Sequence, residues 1–210
     1  MPRTWKPSLT VAFTLIATAI LLFADLVAVA TAQPGKPAPN FSLEASDGKT
    51  YSLSDFQGKF VVLEWFNKDC PFTRKHYDSG NMQKLQGIYQ QKGVAWLSIC
   101  SSAPGKQGYL NKEDAVRQRV ADKVRSTATL LDPDGKVGLL YGAKTTPHMF
   151  VINPKGIVVY AGAIDDHASA DAADISQSKN YVAMALDQAM AGQPVQTPST
   201  PPYGCSIKYK

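Results

Sequence analysis

The sequence predicts an α/β domain in which helices cover a central sheet, entered through a β-hairpin and left through a Pro-rich tail. Three observations carry this. Two short apolar runs, "KFVVLEWF" and "VAWLSI", end in polar loops, as buried central strands do. A helical stretch beginning at Pro71 separates them. Alternating apolar residues around turn residues mark a hairpin at each end of this unit.

In chain order, "QPGKPAPN" is a Pro/Gly-rich lead-in. "FSLEASDGKTYSL" alternates around Asp47-Gly48 and forms the first hairpin. "KFVVLEWF" is the first buried strand. The helix after it runs from Pro71 to about Gln91, with Gly80 as the place for a kink and Gly93 as a C-terminal cap. "VAWLSI" is the second buried strand, and "SSAPGKQG" is a loop. Lys112 to Val124 is amphipathic and helical. "TLLDPDGKVGLLYG" reads as a short strand, a turn and a short helix. "HMFVINPKGIVVYAG" is a hairpin around Pro154-Lys155-Gly156, and Asn180 to Met190 is the last helix. "GQPVQTPSTPPYGCSIKYK" has little helix or strand potential. The chain thus divides into a leader (1–32), one folded domain (33–192) and a tail carrying Cys205 (193–210).

The composition, 44% hydrophobic over 210 residues, fills the core of one domain. A net charge of +5 with no run of five basic residues argues against a nucleic-acid partner. Arg3 and Lys6 precede the apolar stretch Leu9 to Phe23, and "AVATAQ" offers cleavage after Ala30 or Ala32, as in a signal peptide. An uncleaved anchor is the alternative, but the run is short for a membrane span and Asp25 interrupts its end. No cysteine follows it to take a lipid. A periplasmic or secreted protein is expected, without stable membrane association after cleavage, in a compartment where disulfides persist.

Cys70 is placed to react. It follows the first buried strand and the loop "NKD". Pro71 suits the first helical position, which makes Cys70 the N-cap. Its sulfur then faces the free N–H groups and the positive end of the helix dipole, which favour thiolate. Arg74 and Lys75 add positive charge one turn on, and Asp69 opposes them. Thr73 offers a hydroxyl to the thiolate. The plain alternative is a small buried residue, common for a free cysteine.

"PAPNFSL", "DGKTYSL", "GKFVVLEWFNKDCPFT" and "GAKTTPHMFVINPKG" together resemble the redoxin group. These are peroxiredoxin-like members of the thioredoxin superfamily, related to alkyl hydroperoxide reductases and thiol-specific antioxidants. The resemblance covers about Pro39 to Gly162 and implies a thioredoxin-like fold. "TTPHMFVI" resembles the stretch in which a cis-proline lies against the active cysteine; that proline is Pro147, and Thr146 presents its backbone to a bound thiol or disulfide. The departures are specific. Thioredoxins carry a second cysteine where this chain has Thr73. Typical peroxiredoxins carry proline and threonine where it has Leu63 and Asn67. The Cys-x-x-Thr pattern also resembles glutathione-peroxidase-like proteins. Asn67 offers an amide to a peroxide oxygen. Glu64 occupies the place of the buried acid of thioredoxins; it reads equally as a general acid or base and as a structural, hydrogen-bonded residue.

His148 follows Pro147 and can approach Cys70, whereas His76 and His167 add little. With no Cys-x-x-Cys or His-x-x-x-His spacing, neither a metal nor another cofactor is expected. Three cysteines remain to be paired. Cys100 ends the second strand, and lies at the same sheet edge as Cys70 if the two strands are neighbours. Cys205 follows Ala191 by 14 residues, roughly 40 Å of reach if extended at about 3.1 Å per residue. In "PPYGCSIKY", Tyr203 and Ile207 offer anchors and Gly204 a turn, so Cys205 leads as the resolving thiol, with Cys100 and an external thiol as alternatives.

The expected function is an exported, thiol-dependent antioxidant oxidoreductase: a peroxiredoxin-like peroxidase with Cys70 as nucleophile and Thr73, Arg74, Cys205, Pro147 and Glu64 completing the site. The alternatives are a thiol–disulfide oxidoreductase acting on protein disulfides and a non-enzymatic copper carrier using Cys70, Cys205 and His148. A peroxide or disulfide is the expected substrate, and a thioredoxin-like protein or small thiol the external reductant.

Overall fold

The computed structural model describes residues 1, 2 and 31–210; most of the expected leader lies outside the described residues. Among the described residues, no helix is long and apolar enough to cross a membrane. Strands β1 (Ser42–Glu44) and β2 (Thr50–Ser52) form the first hairpin, with Leu43 opposite Tyr51. A 3-10 turn, Leu53–Phe56, leads to β3 (Val61–Trp65), buried at every residue. Helices α1 (Pro71–Asp78) and α2 (Asn81–Gln91) follow, then β4 (Ala95–Cys100), α3 (Lys112–Ala121), β5 (Ala128–Leu131) and α4 (Lys136–Tyr141). The two-residue strand β6 (Thr145–Thr146) precedes the hairpin of β7 (His148–Ile152) and β8 (Val158–Gly162). Helix α5 (Tyr181–Met190) and the two-residue β9 (Cys205–Ser206) complete the chain.

The central sheet has the order β5-β4-β3-β7-β8. β3 and β5 flank β4 in parallel, and β7 runs antiparallel to β3. Side chains alternate across β3. Leu63 and Trp65 join Leu97, Ile99, Phe150 and Tyr141 on one face, with the N-terminal hairpin over them. Val62 joins Trp96, Met149 and Val151 on the other, under Tyr77, Met82 and Leu85 of α1 and α2 and Val182 and Leu186 of α5. Both faces are covered, which is why the strands read as near-continuous apolar runs.

Three expectations are refined. The stretch from Pro71 to Gln91 is two helices rather than one kinked helix, because Gly80 takes φ +76, which ends α1 and caps α2. The third helix stops at Ala121 rather than Val124: Lys123 turns to φ +50 and the Val124 amide folds back onto the Arg119 carbonyl. The tail is structured. Ala161 N–H donates to the Pro198 carbonyl at 3.0 Å, Thr200 N–H returns to Ala161, and β9 then pairs antiparallel with β6. Its partners lie far off in sequence, so local propensity says nothing of it.

Candidate active site

Strand β3 ends at Trp65, and the next turn puts Cys70 at the N-cap of α1 with Pro71 behind it. The Thr146–Pro147 bond is cis, and the loop it forms closes over Cys70, whose thiol donates to the Thr146 carbonyl at 3.0 Å. The tail closes the other side. β9 pairs Cys205 with Thr146 and Ser206 with Thr145, which brings the Cys205 thiol beside the Cys70 sulfur. All three cysteines are free thiols, and Cys70 is 0% exposed.

Burial raises the Cys70 pKa. Hydrogen bonding from the Thr146 side chain, from the thiol and N–H of Cys205 and from the Thr73 N–H outweighs it, so the thiol ionises below its ordinary range. Cys205 moves the opposite way. Burial, its hydrogen bond to Cys70 and the negative charge on that sulfur push it up to about 11. The two thiols thus titrate as a coupled pair in which Cys70 ionises first. Cys70 is the nucleophile of the pair.

The strap that delivers Cys205 is anchored on both sides. Tyr203 donates to Asp165 at 2.5 Å and packs edge-on against Phe72 with centroids 5.8 Å apart. Behind it, Asp165 meets the buried Lys75 ammonium at 3.4 Å and lies 3.8 Å from His76. Beyond Cys205, Ile207 is buried and its N–H donates to the Lys144 carbonyl at 3.1 Å. Tyr209 reaches the Ala143 carbonyl at 2.9 Å.

Of the residues expected at the site, Cys70, Thr73, Pro147 and Cys205 come together. Thr73 is buried beside the sulfur, and its hydroxyl has no hydrogen-bond partner. Arg74 is not brought to the sulfur: its guanidinium grips Asp122 at 2.7 Å and also Asp78, and these carboxylates raise its pKa. Lys75 is likewise occupied by Asp165, so hydrogen bonds rather than these cations lower the Cys70 pKa. Glu64 faces the helix side of the sheet. It accepts from Tyr77 and Trp96 at 2.7 Å, Ser98 at 3.1 Å and Gln86 at 3.2 Å. Burial still raises its pKa. Its hydrogen bonds go to these four side chains, none of which is a cysteine. Asn67 is buried and holds the turn, accepting from the Asp69 N–H at 2.8 Å.

Cys100 is directed away, to the Gly108 carbonyl at 3.3 Å, and burial raises its pKa. His148 packs tilted against Phe150 with ring centroids 4.6 Å apart, and its Nδ1 accepts from the Lys144 N–H at 3.2 Å; burial lowers its pKa to about 3. It does not join the two sulfurs, and among the described residues no group of three or more His, Cys, Asp or Glu side chains is placed to hold a metal. Sequence reasoning missed Phe72, Asp165 and the buried pairing of Lys75 and His76 behind Tyr203. Lys75 reads in the sequence as a cation beside Cys70 and His76 as a residue that adds little; nothing local shows that both turn to Asp165, which follows the apolar strand "VVYAGAI".

A central sheet with helices on it, an N-capping cysteine after the middle strand and a cis-proline loop at its side define a thioredoxin-fold thiol protein. Within that class the chain belongs to the AhpC/TSA family, whose profile matches residues 34–161, including Cys70 and Pro147 but ending before Cys205. It is similar to the thiol-disulfide oxidoreductase ResA of Halalkalibacterium halodurans, 28% identical over 61% of this chain and 67% of that one. It is similar to the thiol:disulfide interchange protein DsbE of Escherichia coli, 29% identical over 62% of this chain and 65% of that one. The matches thus span about two thirds of these relatives. Among solved structures, an uncharacterized conserved protein from Geobacillus kaustophilus overlays with TM-score 0.73 at 25% identity, covering 84% of this chain and 92% of that one. A putative thiol:disulfide interchange protein DsbE from Chlorobium tepidum overlays with TM-score 0.51 at 26% identity, covering 62% of this chain and 85% of that one.

Proposed function

We propose that the protein is an exported thiol–disulfide oxidoreductase whose redox pair is Cys70 and Cys205. The observation that carries this is the strap that sets the Cys205 thiol against the Cys70 sulfur. The names of the ResA and DsbE relatives support disulfide exchange over peroxide reduction as the reaction. In this scheme the Cys70 thiolate attacks one sulfur of a substrate disulfide. An S–S bond forms to Cys70, and the other substrate sulfur leaves as a thiolate. Cys205 then loses its proton and attacks the Cys70 sulfur. The second substrate thiolate is released, and the Cys70–Cys205 disulfide awaits an external dithiol. The tail supplies the second thiol that Thr73 does not.

A peroxidase reading is favoured by the family itself and by the unpaired Thr73 hydroxyl beside the sulfur. There Cys70 cleaves the O–O bond, becomes a sulfenic acid and condenses with Cys205 with loss of water. Insulin-disulfide reduction and peroxide consumption, measured on one preparation with a dithiol reductant, separate the two. The first is expected to be measurable and to vanish in Cys70→Ser. Fast peroxide turnover without insulin reduction would reverse the order. Export is supported by the leader's composition. Ala32 packs in the core, so cleavage after Ala30 keeps it in place; the intact mass of the exported protein should begin at Thr31.

A further inference from the structure

With the strap seated, Cys70 is 0% exposed, so no external disulfide reaches it. Any intermolecular exchange requires the strap to leave, and the surface it leaves is the one a partner meets. That surface is defined residue by residue. Thr145 and Thr146 offer an antiparallel strand edge, which takes Ser206 and Cys205. Lys144 offers its carbonyl to the residue two beyond the cysteine, where Ile207 is buried. Ser206 is exposed. Phe72 offers a ring face to the residue two before the cysteine, and Asp165 takes that residue's hydroxyl. The residue just before the cysteine has no room for a side chain. Gly204 holds φ +121, and a Cβ there would run into the Thr146 carbonyl oxygen and stand 3.5 Å from Phe72 Cβ. Both the conformation and the space exclude an L side chain.

We infer that the strap holds the place of an extended segment of a partner protein, and that this place selects a glycine immediately before the partner's cysteine. Main-chain pairing with Thr145–Thr146 supplies the grip, as in strand addition to a sheet edge, and the two flanking contacts and the closed glycine position supply the choice. The strap and the partner exclude one another. The strap thereby guards Cys70 until a segment of matching form displaces it, and then returns to resolve the mixed disulfide through Cys205. This deepens the proposed exchange reaction and rests on it.

The test uses the full chain and two synthetic peptides, Tyr-Gly-Cys-Ser-Ile-Lys and Tyr-Ala-Cys-Ser-Ile-Lys. Each carries its cysteine as a mixed disulfide with 5-thio-2-nitrobenzoate. Attack by Cys70 forms the Cys70–peptide disulfide, breaks the peptide–aryl disulfide and releases the coloured aryl thiolate. Tyr203→Ala, which loosens the strap, should speed release from the glycine peptide at least tenfold over wild type. The alanine peptide should stay at least tenfold slower than the glycine peptide. Tyr203→Phe, which keeps the ring and loses only the hydroxyl, should fall between, and near-UV circular dichroism reports whether each variant is folded. Equal rates in wild type and folded variants would overturn the guarding role. Equal rates for the two peptides would overturn the glycine selection. Failure of the redox assignment itself looks different: Tyr203→Ala combined with Cys70→Ser would then release the aryl thiolate as fast as Tyr203→Ala alone.

Discussion

At the scale of residues, the chemistry rests on where one proton sits. The Cys205 thiol lies beside the Cys70 sulfur, and the pair splits: Cys70 ionises early and Cys205, pushed up to about 11, ionises late. Alkylation rate against pH should therefore show Cys70 titrating below the free-thiol value of about 8.5. Cys205→Ala removes a donor to that sulfur and should move the midpoint upward; an unchanged midpoint would show that the tail thiol plays no part in activation. Glu64 makes a second prediction. Its folded pKa is raised above the unfolded value, so the folded state holds the proton longer. Stability is then greatest below the unfolded pKa and falls as pH rises toward the folded one. Glu64→Gln, which can accept from Trp96 and Ser98 and donate to the Tyr77 oxygen, should fold and flatten that slope in urea melts across pH. Glu64→Leu strands the Trp96 and Gln86 N–H donors at about 1–3 kcal/mol each and should be clearly less stable.

At the scale of elements, the strap behaves as two anchored segments. Its first part runs along β8 through Ala161, and its second pairs with β6 and reaches Ala103 through Lys208. Tyr203 stands between them. Amide exchange of Ile207 and Ala103 should accelerate at least tenfold in Tyr203→Ala while Ala161 keeps its protection; uniform loss of protection would mean the strap unzips as one piece. Much of the rest was legible in the sequence. The buried runs of β3 and β4, the Asp47-Gly48 hairpin and the Cys70-Pro71 junction each carry a local signal, and the structure has them. The strap's reach to Cys70 was legible from length and from Tyr203, Gly204 and Ile207. Its pairing with Thr145–Thr146 was not, because two residues carry no period and their partner is distant. Arg74 and Lys75 looked like activating cations, since a sequence does not show that Asp122 and Asp165 claim them.

At the scale of the whole molecule, three distant segments meet at one sulfur. The sheet puts Cys70 at the end of β3, the β6–β7 corner brings Thr146 and Pro147 beside it, and the chain's last residues return with Cys205. The third cysteine is buried against Gly108, away from this meeting point. The proposed exchange chemistry therefore stands on one linkage. Treatment with one equivalent of a small disulfide, alkylation of remaining thiols and peptide mass mapping without reduction tests it directly. The expected product joins the Cys70 and Cys205 peptides with loss of two hydrogens and carries an alkylated Cys100 after unfolding. A Cys70–Cys100 linkage, or a Cys70 mixed disulfide that persists beside a free Cys205, would contradict it.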